Sequence, residues 1–297
     1  MSPDLPAPPP PGRPQARSSS TTPLPTPALA VTEPVPTRHG FTLLELVVVL
    51  AVIGILAGLL IPALARSRLR AKVTVCANHG RQWALAANLY ATDDAQGRFP
   101  AFRQPFQGRN PTAMLYPWMV NHALVTNLGA YGLEPPVWFC PTRPEAWQRR
   151  QEHFRTLSGG RDLSTVADLS LALQAESPNY AVLEYSWWVP RPVEGFERPY
   201  PSPGEGISRI PVGWPTRVDD PAVSIQPILS DAFYGIWNEH RQNVEYLGYG
   251  SMGHRVSILS RVLNLNVTFA DGRVETRPAA KLQWQLNPGN GDATFMY

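Results

Sequence analysis

The sequence predicts an α+β fold: a long N-terminal helix, membrane half plus amphipathic half, packed on a β-rich C-terminal globular domain. Three observations predict it. From Leu46 to Ile61 every residue is apolar or glycine. Beyond that run, Leu69, Val73, Cys76, Gly80, Trp83, Ala87 and Tyr90 recur at spacings of four and three, which draws one stripe along a helix. Farther on, Leu263, Leu265, Val267 and Phe269 alternate with polar residues and lead into Asp271-Gly272, a hairpin turn pair, with a return strand over 273–276.

Taken in order, residues 1–40 are a proline-rich leader with too few apolar side chains to build a core, and disorder is expected there. A later, non-methionine start such as Val31 is the alternative, leaving a short basic leader. Residues 41–65, as a helix, would span roughly 37 Å, enough to cross the ~30 Å hydrocarbon layer of a bilayer. Ala63-Leu64-Ala65 also imitates a signal-peptidase site, so a cleaved secretory signal is a competing reading. Residues 66–92 continue the helix in amphipathic form, with Lys72, Asn78, His79 and Gln82 off the apolar stripe. Asp93-Asp94-Ala95-Gln96-Gly97 supplies a stop, and Pro100 follows. Residues 93–297 form the globular domain. Its strand candidates are 181–189, 223–229 and the hairpin at 263–276, and a shorter helix is expected over 163–175.

Composition narrows the function classes. A net charge of +3 with only 16% charged residues, and no basic stripe interleaved with aromatics, gives no support for nucleic-acid binding. Thirty-three prolines argue against an all-helical protein, and nine tryptophans favour an aromatic-rich β or α+β body. The two cysteines, Cys76 and Cys140, permit one disulfide or two buried thiols; Cys76 lies on the inward stripe and so faces the body that contains Cys140.

The segment Arg38-His39-Gly40-Phe41-Thr42-Leu43-Leu44-Glu45 followed by an apolar helix resembles the processing signal of type IV pilins and type II secretion pseudopilins. The resemblance implies that a prepilin peptidase cuts between Gly40 and Phe41 and methylates the new amino group of Phe41. It also implies that Glu45 takes part in assembly by pairing with the N-terminal amine of a neighbouring subunit. A carboxylate in an apolar segment is costly alone and is neutralised by such a partner. The other reading of Glu45 is that it sits near the membrane surface and reaches water. More loosely, Cys76-Ala77-Asn78, Phe139-Cys140-Pro141, Leu229-Ser230-Asp231-Ala232, His254 and Asp271-Gly272 resemble the signposts of prepilin-like proteins with a C-terminal Asp-Gly signature, although the interval from His254 to Asp271 is longer than that pattern has.

By this resemblance the partners are a prepilin peptidase, other pilin or pseudopilin subunits and, before assembly, inner-membrane lipid. The protein would be a single-pass bacterial inner-membrane protein with its globular domain in the periplasm or, after assembly, on the surface. Arg66, Arg68, Arg70 and Lys72 conflict with this, because a plain positive-inside count would put the domain in the cytoplasm. The more specific processing signal is preferred. The competing function is a membrane-anchored binding module or enzyme whose helix is only a tether.

No catalytic constellation stands out, and neither a metal site nor a cofactor is expected. Asp231, Glu239, His240, Glu245, His254 and Asp271 lack the density of a calcium loop and the spacing of a zinc-enzyme motif, so solvated polar residues are expected at these positions. Gly248-Tyr249-Gly250-Ser251-Met252-Gly253 spells a dinucleotide fingerprint without the strand and helix that it needs, and reads as a loop. Trp187, Trp188, Trp214 and Trp237 are expected in the core rather than on a glycan-stacking platform.

Overall fold

The computed structural model describes residues 40–105, 116–195, 199–201, 213–232, 234–238, 243–245, 254, 264–282, 284–286 and 293–296. The leader 1–39, the glycine-rich stretch 248–253, Glu239 and His240 lie outside the described residues. By its contacts the chain forms two units, residues 1–54 and 55–297.

Helix α1 runs Leu43–Asp93, 51 residues, and passes through Pro62. The predicted helix of about 50 residues ending near Thr92 is therefore present. Apolar side chains from Leu43 to Leu64 are exposed, Leu59 at 73% among them, and the apolar stretch is long enough to cross a membrane. The second half of α1 buries Cys76, Gly80, Trp83, Ala84, Ala86, Ala87 and Ala91. Leu69, Val73 and Tyr90, at the ends of the predicted stripe, are only half-buried. Asp94 ends the helix by accepting from the backbone N–H of Gln96 and Arg98, and Gly97 takes φ 65° in the turn.

The first part of the globular region is more helical than its proline content predicts. After strand β1 (Met119–Val120) come α2 (His122–Ala130), α3 (Pro144–Ser158) and α4 (Val166–Glu176). Helix α4 is the one predicted over 163–175. It starts three residues later because Thr165 and Asp168 form a reciprocal capping box at its entry. The predicted strand 181–189 splits into β2 (Ala181–Val182), which pairs with β1, and β3 (Tyr185–Trp187). The predicted strand 223–229 becomes a 3-10 turn at Pro221–Ser224 and then β4 (Pro227–Asp231). Strands β5 (Tyr234–Asn238) and β6 (Asn243–Glu245) follow, and then the predicted hairpin, β7 (Asn264–Phe269) with β8 (Val274–Pro278), in the register Val267↔Glu275. Strands β9 (Trp284–Leu286) and β10 (Ala293–Met296) end the chain. Among the described residues these strands form the two-stranded β1-β2 sheet and two four-stranded antiparallel sheets, ordered β3-β4-β7-β8 and β6-β5-β10-β9.

Helix α1 lies on one face of the β3-β4-β7-β8 sheet. Asn266 Nδ2 donates to the Val73 carbonyl at 3.3 Å, and Asn88 Nδ2 donates to the Ala270 carbonyl at 2.6 Å. Trp83, wholly buried, packs edge-on to Trp138 with ring centroids 4.5 Å apart and also meets Tyr185 and Trp187. The helix covers the sheet's otherwise wet face, so the polar members of β7 are buried as well: Asn266 is 3% exposed and Thr268 1%. Alternation correctly identified the strand, but it does not separate core from solvent here.

Gly80 is where helix and sheet come closest. A Cβ at that position would lie 2.3 Å from Thr268 Oγ1, so the buried hydroxyl would have to move. Gly80→Ala is expected to destabilise the domain by about 1–3 kcal/mol. Denaturant unfolding of the detergent-solubilised chain measures this, and adding Thr268→Ala should recover part of the loss if the clash is the cause.

Candidate functional site

Two places in the chain gather chemistry. The first is the start of α1. Thr42 occupies the N-cap position and Glu45 lies three residues on. Glu45 Oε2 accepts from both the Thr42 backbone N–H and the Thr42 hydroxyl, each at 2.8 Å, while the Glu45 N–H donates to Thr42 Oγ1 at 3.2 Å. This is a capping box, which satisfies donors that a helix start leaves open. The sequence spells this box as Thr-x-x-Glu, in letters that also belong to the processing motif. Phe41 is 82% exposed. Among the described residues nothing lies within 4 Å of a Cβ placed on Gly40, so no contact there requires glycine.

The second place is buried. Cys76 of α1, Cys140 beyond the 3-10 turn Pro135–Trp138, Asp231 at the end of β4 and His254 present one donor atom each within 4.8 Å of one another. All four are nearly inaccessible, at 1%, 2%, 1% and 0% exposure. The Cys76 thiol donates to Asp231 Oδ1 at 3.4 Å and lies 3.6 Å from the Tyr185 hydroxyl. Asp231 Oδ2 accepts the backbone N–H of Asn266 at 2.6 Å. Cys140 Sγ is 3.0 Å from Thr142 Oγ1. His254 Nδ1 is 2.6 Å from Asn264 Oδ1, and the His254 backbone N–H donates to the Asn264 carbonyl, which fixes the residue against β7. An acceptor at Asn264 Oδ1 requires the proton on Nδ1, so Nε2 faces the cluster.

His254 Nε2 is 3.1 Å from Asp231 Oδ2, yet the two atoms are not aligned as donor and acceptor. Burial works against a charged imidazole, but the Asp231 carboxylate and the Cys140 sulfur outweigh it and hold His254 up to about 9. The thiols titrate as a pair. Burial together with Cys140 and Asp231 pushes Cys76 up; burial also opposes ionisation of Cys140, but the neighbouring Cys76 and His254 pull it down to about 6.

These positions correct the expectation of solvated polar residues at Asp231 and His254. Asp271 does lie exposed in its turn, where it accepts the Arg273 N–H, and Gly272 takes φ 84°. Cys76 and Cys140, candidates for a bridge, stand as free thiols within the cluster. No linear motif would have found this group, because its members come from four remote segments. Trp187, Trp188 and Trp214 are 1%, 0% and 3% exposed, with Trp188 stacked on Trp214 at 5.3 Å, so these three belong to the core. The side chain of Trp237 lies outside the description.

Neither a curated protein nor a solved structure matches the chain. Residues 36–61, however, match the family described as the prokaryotic N-terminal methylation motif, and the chain therefore carries at the head of α1 the signal that marks type IV pilins and pseudopilins.

Proposed function

We propose that the chain is a pilin-like structural subunit. A prepilin peptidase cuts between Gly40 and Phe41 and methylates the Phe41 amine. The apolar half of α1 holds the subunit in the inner membrane, with the globular domain on the periplasmic side, and then packs against the helices of other subunits in a type IV pilus or a type II secretion pseudopilus. The observation that carries this reading is the methylation motif at residues 36–61, set directly on a helix whose apolar side chains are exposed. Such a surface requires lipid or other helices around it. Gly40 supports the reading in a second way. With open space around its Cα, its side-chain-free backbone suits entry into a protease cleft rather than any need of the fold.

The mass of the mature N-terminal peptide tests the proposal. The expected peptide starts at Phe41 and carries one added methyl group. An uncut Met1 terminus, or a cut after Ala65, would overturn it. A reporter fused after Tyr297 should report a periplasmic domain, and a cytoplasmic signal would remove the assigned topology.

A further inference from the structure

We propose that Cys76, Cys140, Asp231 and His254 form a structural zinc site that fastens α1 to the globular domain. Four observations carry this. The donor set of two sulfurs, one imidazole nitrogen and one carboxylate oxygen belongs to zinc chemistry, since thiolates disfavour magnesium and calcium while imidazole and carboxylate both suit zinc.

The spacing is the second. Zn–S bonds near 2.3 Å and Zn–N or Zn–O bonds near 2.0 Å place adjacent donors of a tetrahedral ion roughly 3.3–3.8 Å apart. Here Cys76 Sγ lies 3.4 Å from Asp231 Oδ1, His254 Nε2 lies 3.1 Å from Asp231 Oδ2, and one donor atom of each residue falls within 4.8 Å of the rest. Closure onto an ion requires the widest pair to draw in by about 1–1.5 Å at most.

Orientation is the third. His254 Nδ1 is engaged by Asn264 Oδ1, so Nε2 is the nitrogen turned to the cluster, buried and without an aligned hydrogen-bond partner. Hydrogen bonding of the outer nitrogen is how a metal-binding histidine is held. Asp231 is held in the same way by the Asn266 N–H, and Thr142 sits against the Cys140 sulfur. The fourth is closure. Four protein donors at 2% exposure or less leave no place for substrate water, which describes a structural rather than a catalytic site. Binding displaces two protons to solvent, one from the Cys76 thiol and one shared by the Cys140–His254 pair, so that both sulfurs bind as thiolates and His254 as neutral imidazole, with no electron transfer. A Cys76–Cys140 disulfide would also staple helix to domain, but it would leave the Asp231–His254 pair without a common partner.

The test uses the full chain, solubilised from membranes in detergent, stripped with a chelator and then given Zn2+ alone or Co2+ alone. Expected are one zinc per chain by elemental analysis, a rise of several degrees in melting temperature with Zn2+, and with Co2+ a thiolate charge-transfer band together with the intense visible bands of tetrahedral coordination. Cys140→Ser and His254→Gln should each weaken binding at least tenfold. Because those variants can fail to fold, the wild-type Co2+ spectrum decides independently. Absence of both cobalt signatures, a Cys76–Cys140 disulfide found by mass spectrometry without reduction, or metal binding unchanged in Cys140→Ser would each overturn the site.

Discussion

Arg191→Met is expected to lower the stability of the globular region by about 3–5 kcal/mol, on the scale of breaking a buried charged network. The guanidinium is 2% exposed and makes five bonds. Nε donates to Gln104 Oε1 at 3.1 Å and Nη1 to the Trp187 carbonyl at 3.0 Å. Nη2 is shared by the carbonyls of Tyr116, Pro117 and Met119, the last at 2.7 Å. These acceptors are all neutral, so the ion is held by dipoles. Burial, opposed in part by Tyr200, pulls its pKa down to about 10, which still leaves it charged at neutral pH. Methionine fills the space but takes the guanidinium donors from Gln104 Oε1 and from the carbonyls of Trp187 and Met119, while the Tyr116 and Pro117 carbonyls keep the backbone N–H groups of Met119 and Trp187. Arg191→Lys should recover only part of the loss, because a compact ammonium cannot reach acceptors spread around a planar fork. Thermal unfolding should show a fall on the order of 10 °C for methionine. A shift of only a degree or two would mean that water replaces the arginine and that the segments it joins are independently stable.

That network was not legible in the sequence, and the reason also explains what was. Periodic features declare themselves locally. The α1 stripe through Cys76, Gly80, Trp83 and Ala87, the β7-β8 hairpin around Asp271-Gly272 and the capped α4 were all visible as patterns. Helix α2 was not, since nine residues are too few for a 3.6 period to emerge. Helix α3 was not, since its 15 residues are mostly polar and only Ala146 and Phe154 are buried. Strand 181–189 misled because one apolar run serves two sheets: Leu183 donates to the Trp118 carbonyl beside β1, whereas Tyr185 pairs with Asp231 of β4. The buried cluster needs contacts such as Cys76 to Asp231, 155 residues apart. Each of its members was visible singly, as a cysteine on the inward stripe, a cysteine between Phe139 and Pro141, an aspartate ending an apolar strand and an isolated histidine. Their convergence is a property of the fold.

Glu45→Gln is expected to be cut and methylated like the parent chain but to reduce assembled material to background, and it separates the capping role seen in the structure from the proposed assembly role. The carboxylate caps its own helix through Thr42, and it is also the group proposed to meet the Phe41 amine of a neighbour. These roles need not compete, because both Thr42 bonds fall on Oε2 and Oε1 is left to accept from an ammonium. Cleavage makes Thr42 the second residue, so the new amine forms next to the box. Glutamine at this position still accepts from the Thr42 N–H through its amide oxygen, as capping boxes allow, but it carries no charge. Thr42→Ala does the reverse, removing the hydroxyl half of the box while keeping the carboxylate, and Glu45→Leu removes the side-chain acceptor of the box together with its charge. If pairing with an amine governs assembly, glutamine and leucine fail alike while Thr42→Ala assembles. If the carboxylate serves only its own helix, glutamine assembles normally and the other two are impaired. N-terminal peptide mass for each variant keeps processing separate from assembly, and sheared or pelleted filament yield reads the assembly step. Assembly of Glu45→Gln at the parent level would remove the intersubunit role and leave Glu45 as the cap of α1.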